Sequence, residues 1–163
     1  MMFTIFLCAL ITVATFLFWE FVAWFTHKYV MHGFLWIWHR SHHTVHNHVF
    51  ERNDWFAVVF SLPSIGLFYL GSVTYSNPYI QAVGLGIFCY GIFYFIFHDV
   101  IVHQRIKWRR VQRSKYLQRM IQAHYTHHSK HSKENCEAFG FLYAPKKYEP
   151  KNFTFKKARH ETQ

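Results

Sequence analysis

The sequence carries almost no charge in its most apolar stretches. Residues 55–97 contain no Asp, Glu, Lys or Arg, and residues 3–25 contain only one such residue, Glu20. A helix needs about 20 mainly apolar residues to span a bilayer, so the longer stretch can hold two spans. The turn signal Asn77-Pro78 divides it. We therefore predict an all-α integral membrane protein with about three transmembrane helices, at 3–25, 55–73 and 79–97.

Acidic residues are scarce as well, with 8 Asp and Glu against 18 Lys and Arg and a formal net charge of +10. Every basic residue lies in 28–52 or from 105 onward, on one side of a three-span topology. By the positive-inside rule this side is cytoplasmic, so we expect a multi-pass protein of the cytoplasmic (inner) membrane. Topology and contact with anionic membrane lipid account for the charge. Since no RNA- or DNA-binding motif is present, no nucleic-acid partner is expected.

Cysteine is too rare for a disulfide framework or a thiolate metal site. The three cysteines, Cys8, Cys89 and Cys136, form no CxxC pair, and the first two lie inside predicted spans. Free thiols are typical of a reducing cytoplasm.

Histidine is abundant, and ten of its 14 copies fall into four clusters. The clusters read HxxxxH, HxxHH, HxxxxH and HxxHH, so one pair of patterns occurs twice. Each HxxxxH follows a long apolar run, which places it at the end of a span. Neutral imidazole is the commonest protein ligand of first-row metals. The clusters therefore predict a cytoplasmic, histidine-rich metal site built from His27, His32, His39, His42, His43, His98, His103, His124, His127 and His128.

The two spacings predict different geometries on a helix. HxxHH places its first and last imidazoles on one face, with the middle one beside them, so that three can converge. The two imidazoles of HxxxxH diverge on a regular helix, which suits ligands of different metals unless the helix is distorted. Ten imidazoles exceed the needs of one ion. Two ions with about five nitrogens each would leave a position for oxygen on each ion.

Neutral imidazole ligands need partners that orient their rings. Glu20 is the best candidate, since it lies two helical turns before His27 and is an ionisable residue inside a span. The alternative is that Glu20 reaches the membrane surface or pairs with Lys28. Asp54 and Asp99 are weaker candidates, and Asn53 or Asp54 suits the N-cap of the second span.

The remaining polar segments contribute less to the predicted site. His46, His48, His131 and His160 lie outside the repeated spacing and are not expected to bind metal. Apolar residues and histidines recur at three- and four-residue steps over 111–128, which predicts an amphipathic helix at the membrane interface. We assign 1–145 to the membrane metal domain and 146–163 to a loose basic cytoplasmic tail.

Beyond the histidines, the chain resembles the bacterial non-haem di-iron beta-carotene 3-hydroxylases of the fatty acid hydroxylase superfamily. The histidine spacing alone is typical of the whole superfamily, and the segments between the histidines make the likeness narrower. The matching segments are His27–Gly33 (HKYVMHG), Trp38–His43, Phe50–Asp54, Tyr94-Phe95, His98-Asp99, Val102–Arg105, Ala123-His124, His127-His128 and Phe139–Pro145 (FGFLYAP).

This resemblance implies an enzyme that uses O2 to hydroxylate carbon 3 of the carotenoid beta-ring, converting beta-carotene through beta-cryptoxanthin to zeaxanthin. It implies two non-haem iron ions held by the ten clustered histidines. It also implies ferredoxin and its reductase as electron donors.

Two kinds of alternative stay open on the sequence. A sibling enzyme could apply the same metal chemistry to a fatty acyl or sterol substrate, or form a carotenoid ketone. A protein of another class, a metal transporter or a membrane cytochrome b, fits less well. Those proteins place their metal or haem ligands within the membrane, whereas these histidines cluster just beyond the spans.

Overall fold

A computed structural model describes residues 1–44, 50–106 and 114–150, and this part of the chain is helical with no strand. The α-helices are α1 (Met2–Phe25), α2 (Trp36–His39), α3 (Trp55–Tyr69), α4 (Pro78–Tyr94) and α5 (Lys115–His128). Three π-helices, π1 (Thr26–Phe34), π2 (Leu70–Thr74) and π3 (Phe95–Val102), continue α1, α3 and α4. Short 3₁₀ turns occupy Arg40–His43, Arg52–Asp54 and Lys146–Tyr148.

Three continuous helices are long and apolar enough to cross a membrane: Met2–Phe34, Arg52–Thr74 and Pro78–Val102. This confirms the predicted fold class of three apolar spans with a histidine-rich cluster. The first helix was expected to run on through the first HxxxxH, and π1 forms this continuation. The third helix extends beyond its predicted limit through π3. The spans therefore carry the two HxxxxH motifs as part of the same helices.

Helix α4 packs between α1 and α3, and small residues allow both contacts. A Cβ atom on Gly86 would lie 2.6 Å from the Thr12 carbonyl oxygen of α1, so this approach requires glycine. On the opposite face, Ser64 of α3 donates a hydrogen bond of 2.9 Å to the Gly84 carbonyl. Many large apolar side chains on the other faces are exposed, which is the surface expected of helices in lipid.

A buried apolar cluster lies beside the histidines, at the end of the third span. It joins π3, α5 and the segment after it, through Phe97, Val102, Met120, Ala123, Phe141, Ala144 and Tyr148. Tyr148 is buried, so packing extends three residues past the boundary predicted at 145. The rest of the predicted tail, 151–163, lies outside the described residues.

Helix α5 begins at a side-chain cap. Ser114 accepts a hydrogen bond from the Leu117 N–H, and the helix runs from Lys115 to His128. The predicted helix began at 111, and residues 111–113 lie outside the described part of the chain. The three cysteines are free, as expected.

Candidate metal centre

The histidine side chains lie in two groups of five. In each group, one nitrogen from every imidazole lies within 4.8 Å of the others. We call the set containing His27 the first group and the set containing His98 the second group. The first group is His27, His32, His39, His43 and His127, and the second group is His42, His98, His103, His124 and His128.

The π-helices explain how HxxxxH contributes two imidazoles to one group. A π-helix bonds each N–H to the carbonyl five residues earlier, so residues five apart lie above one another. The His103 N–H donates to the His98 carbonyl across such a turn, at 2.9 Å. The ring centroids are 4.5 Å apart for His98 and His103 and 5.4 Å apart for His27 and His32. The exception stated for a distorted helix therefore applies, because both helices are π-helical at these motifs and the two imidazoles of each motif do not diverge.

The HxxHH motifs divide between the groups. His39 and His43 enter the first group, and His42 between them points into the second. In the second motif, His124 and His128 enter the second group and His127 enters the first. On α5 the helix geometry allows this, because consecutive residues are turned by about 100°, so His127 and His128 lie on opposite sides of His124 and can reach different groups. The expectation that all three imidazoles of one motif converge is wrong.

The nitrogen spacing fits a bound ion. Adjacent Nε2 atoms in the first group are 3.1 Å apart for His27 and His39 and 3.2 Å for His39 and His43. In the second group, the Nε2 atoms of His103 and His124 are 3.1 Å apart. Two nitrogens that bind one ion at ~2.1 Å are about 3 Å apart at a right angle and about 4.2 Å apart on opposite sides.

Hydrogen bonds on the outer side hold every ring of the first group. Each Nδ1–H of this group faces an oxygen acceptor, which leaves Nε2 as the inward atom. The pairs are His27 with the Phe139 carbonyl, His32 with Lys133, His43 with Lys130, His127 with Glu137, and His39 with the Asn53 side-chain oxygen.

Three nitrogens of the second group have no hydrogen-bond partner. His98 Nδ1, His124 Nδ1 and His128 Nε2 are buried without a hydrogen bond within the described part of the chain. A buried polar nitrogen without a partner costs roughly 1–3 kcal/mol, and a bound metal ion would remove this cost at an inward-facing nitrogen.

Burial keeps the imidazoles neutral, which is the form that binds metal. Desolvation lowers the pKa of His43 to about 4 and the pKa values of His103 and His127 to about 3, and nearby histidines lower them further. The pKa values of His39 and His42 are lowered well below the usual range, chiefly by burial.

Glu20 reaches the site through the backbone. Its Oε1 accepts from the N–H groups of Phe141 and Leu142, at 2.8 and 2.9 Å, and its Oε2 accepts from the Tyr90 hydroxyl at 2.7 Å. The same segment supplies the Phe139 carbonyl that faces His27. Within the described residues, Glu20 hydrogen-bonds to this segment and to Tyr90. Glu20 therefore acts on His27 indirectly, by holding the segment that carries the Phe139 carbonyl.

Glu51, Asn53 and Asp54, in the segment that follows the first HxxHH motif, have roles at the site that the sequence did not predict in full. Asn53 or Asp54 was expected to cap the second span, and Asp54 takes part in the cap. The side chains of Glu51 and Asp54 accept from each other's backbone N–H. The Asn53 side-chain oxygen instead accepts from His39 Nδ1 at 2.7 Å. Glu51 Oε2 also faces His42 Nδ1 at 3.2 Å. The only sequence signal for these roles was the segment Phe50–Asp54, which begins seven residues after the motif and is shared with the family.

Arg105 was also missed by the sequence analysis. Its guanidinium contacts carboxylate oxygens of Glu51 at 2.5 Å, Asp54 at 2.8 Å and Asp99 at 3.3 Å. Asp99 Oδ1 in turn lies 3.5 Å from His98 Nδ1. These contacts join the start of the second span to the end of the third, and both ends border the second group.

A cavity of about 450 Å³ lies between the long helices and reaches both histidine groups. Its polar end includes His27 and His39 of the first group and His98 of the second. The remainder is lined mainly by apolar and aromatic side chains, including Met31, Phe56, Phe60, Ile87, Phe88 and Phe141.

The excluded histidines do not join either group where the structure describes them. His131 is exposed, and its Nδ1 lies 2.6 Å from the His43 carbonyl oxygen. His46, His48 and His160 lie outside the described residues.

Known proteins similar to this chain fall in one family. The profile described as fatty acid hydroxylase matches residues 12–144. The beta-carotene hydroxylase of Pantoea ananas is 49% identical over 137 residues, which cover 84% of this chain and 77% of the relative. The beta-carotene hydroxylase of Paracoccus sp. (strain PC1) is 44% identical over 137 residues, covering 83% of each. The chloroplastic beta-carotene 3-hydroxylase 2 of Arabidopsis thaliana is 34% identical over 132 residues, 80% of this chain and 43% of the relative. No solved structure matches significantly.

Proposed function

The chain belongs to the fatty acid hydroxylase family, and on that premise we propose that it hydroxylates the beta-ring of carotenoids at carbon 3. The products expected from beta-carotene are first beta-cryptoxanthin and then zeaxanthin, because the substrate carries two such rings. The bacterial beta-carotene hydroxylases, similar over most of their own length, support this substrate.

We propose two non-haem iron ions as the cofactor, one in each histidine group. The donor set supports this, because imidazole nitrogen suits iron and eight of the ten histidines are buried, with the other two half-buried. When bound, the ions would supply the reductive activation of O2 that a saturated ring carbon requires. In the balanced reaction, the C–H bond, O2, two electrons and two protons give a C–OH group and water. We propose ferredoxin and its reductase as the electron source.

The observation that carries this proposal is the cavity between the spans. It is apolar along its length and ends at imidazoles of both groups, so a flat apolar ring can enter from the bilayer and reach the metals. A membrane-spanning carotenoid presents its ring near this depth, whereas most of a fatty acyl chain lies deeper. Phe56 and Phe141 line the cavity near the histidines and exclude water from the reacting carbon.

We propose that the site faces the cytoplasm and that the protein lies in the inner membrane. The one-sided distribution of Lys and Arg supports this orientation. Reporter fusions should place the N-terminus outside the cytoplasm and the C-terminus inside it. Both termini on the same side would contradict the three-span topology.

Pigment analysis of cells that make beta-carotene tests the activity. Cells expressing the chain should accumulate beta-cryptoxanthin early and zeaxanthin later. His98→Ala should abolish both products, while His131→Ala, at an exposed histidine outside the groups, should keep most of the yield at the same membrane level of protein. A keto product at carbon 4, or hydroxylated fatty acid without hydroxylated carotenoid, would assign the chain to a sibling reaction.

A further inference from the structure

The two histidine groups differ in the charge of the oxygen atoms around them. All five acceptors identified for the first group are neutral: four backbone carbonyls and the Asn53 amide oxygen. In the second group, the outer nitrogens of His42 and His98 face carboxylate oxygens, those of Glu51 at 3.2 Å and Asp99 at 3.5 Å. The two metal positions are thus chemically unequal, although each has five imidazoles.

Arg105 is shared among three carboxylates. Its guanidinium contacts Glu51, Asp54 and Asp99, so these four described side chains together carry a formal charge of −2. The side chains of Glu51 and Asp99 are only 7% and 13% exposed, so solvent screens them weakly. Arg105 thus fixes the two carboxylates beside the imidazoles of the second group.

We propose that the second group is the more electron-rich centre, and that its iron binds more tightly and has the lower reduction potential of the two. This inference rests on the proposed di-iron function. Glu51, which accepts from His42 Nδ1, makes that imidazole more basic and a stronger ligand. Asp99 lies 3.5 Å from His98 Nδ1 and acts through its negative charge. The charge of each carboxylate stabilises Fe³⁺ more than Fe²⁺ by Coulomb attraction. The first group would therefore hold the iron that is reduced at the higher potential.

Two substitutions that preserve side-chain shape test this inequality in opposite directions. Glu51→Gln removes a charge beside the second group and keeps an oxygen that can accept from His42. Asn53→Asp adds a charge beside the first group at the oxygen that faces His39. The two residues lie on one short segment, so each variant serves as the matched control of the other.

The first measurement is a stepwise redox titration of the purified protein loaded with ⁵⁷Fe, followed by Mössbauer spectroscopy without carotenoid. In the unmodified protein, one ferric signal should convert to ferrous at a higher potential than the other. Glu51→Gln should raise the potential of the iron in the second group, which is the lower of the two. Asn53→Asp should lower the potential of the iron in the first group, which is the higher. Both variants should therefore reduce the difference between the two potentials. A change in folding alone would not move the two potentials in opposite directions.

The second measurement is iron release to a chelator. Glu51→Gln should release one of its two irons about 10–100-fold faster than the unmodified protein, with the other iron unchanged. Glu51 also belongs to the capping pair of the second span, so Glu51→Gln could impair folding. If the Glu51→Gln protein does not reach the membrane, Asp99→Asn is used in its place. Asp99→Asn should raise the same, lower potential.

Equal potentials for the two irons in the unmodified protein, or a shift in the same direction in both variants, would overturn the inference. If the protein hydroxylates beta-carotene with equal potentials, only this inference fails. If the potentials differ as expected but no carotenoid is hydroxylated, the proposed substrate is wrong and the inference of two unequal metal centres is retained.

Discussion

The middle histidines of the two HxxHH motifs are exchanged between the two groups. His42 completes the second group, whose other members follow residue 97, and His127 completes the first group, whose other members precede residue 44. His42 Nε2 lies 2.8 Å from His98 Nε2, and His127 Nε2 lies 3.2 Å from His32 Nε2. Each half of the chain thus supplies four imidazoles to one group and one to the other. Neither group is complete unless α5 packs against the segment carrying the first HxxHH motif.

The exchange of these two histidines predicts which iron each substitution disturbs. His127→Ala should perturb the same Mössbauer signal as His32→Ala, although 95 residues separate the two positions. His124→Ala, three residues earlier on α5, should perturb the other signal. If His127→Ala and His124→Ala change the same signal, the division into these groups is wrong.

Each of the ten grouped histidines should be required for hydroxylation. Substitution of any one by Ala removes one of five nitrogens from an ion and leaves a buried gap, so we expect less than about one hundredth of the activity. Product formation in carotenoid-producing cells, corrected for the amount of protein in the membrane, measures this. His46→Ala, His48→Ala and His160→Ala should each keep most of the activity, and an active His98→Ala enzyme would contradict the ligand assignment.

Glu20 should affect metal retention through the segment it holds. Glu20→Gln weakens the acceptor for two backbone N–H groups next to the Phe139 carbonyl, so His27 loses its fixed orientation. We expect iron loss to a chelator to be about 10–100-fold faster.

Tyr90→Phe is the matched control for Glu20. It removes only the hydroxyl donor to the same carboxylate and leaves the backbone contacts intact, so iron loss should change far less. Unchanged iron retention in Glu20→Gln would leave this carboxylate with a packing role only.

Gly86 should tolerate no larger residue, because α1 crosses α4 there. In Gly86→Ala the added methyl group would meet the Thr12 carbonyl oxygen and the Thr15 side chain, at 2.6 Å each. Overpacking of this kind costs about 1–3 kcal/mol. The fraction of folded protein recovered in detergent should fall, as measured by gel filtration and thermal unfolding.

Gly66→Ala provides the comparison on α3. A Cβ atom at Gly66 meets no atom within 4 Å, so the variant should be as stable as the unmodified protein or slightly more so. Equal losses in both variants would mean that the α1–α4 contact does not depend on a glycine at 86.

The sequence alone determined the spans and the set of candidate ligands. Uncharged stretches of sufficient length have few structures open to them in a bilayer, so three apolar helices could be predicted from composition. The ten histidines stood out for a similar reason, since a repeated spacing at the ends of apolar runs is a local pattern. The two HxxxxH motifs were therefore predicted at the ends of apolar spans, and the structure places them on the continuations of those helices.

Only the tertiary structure decided how the histidines divide. The π-helical turns bring His98 over His103, and a regular helix at the same residues would separate the two rings. The exchange of His42 and His127 depends on contacts between segments 56 and 95 residues apart in the chain. The roles of Asn53, Glu51 and Arg105 depend on packing between the ends of two spans. Local spacing shows which residues can bind a metal, but which of them share an ion depends on how distant helices pack together.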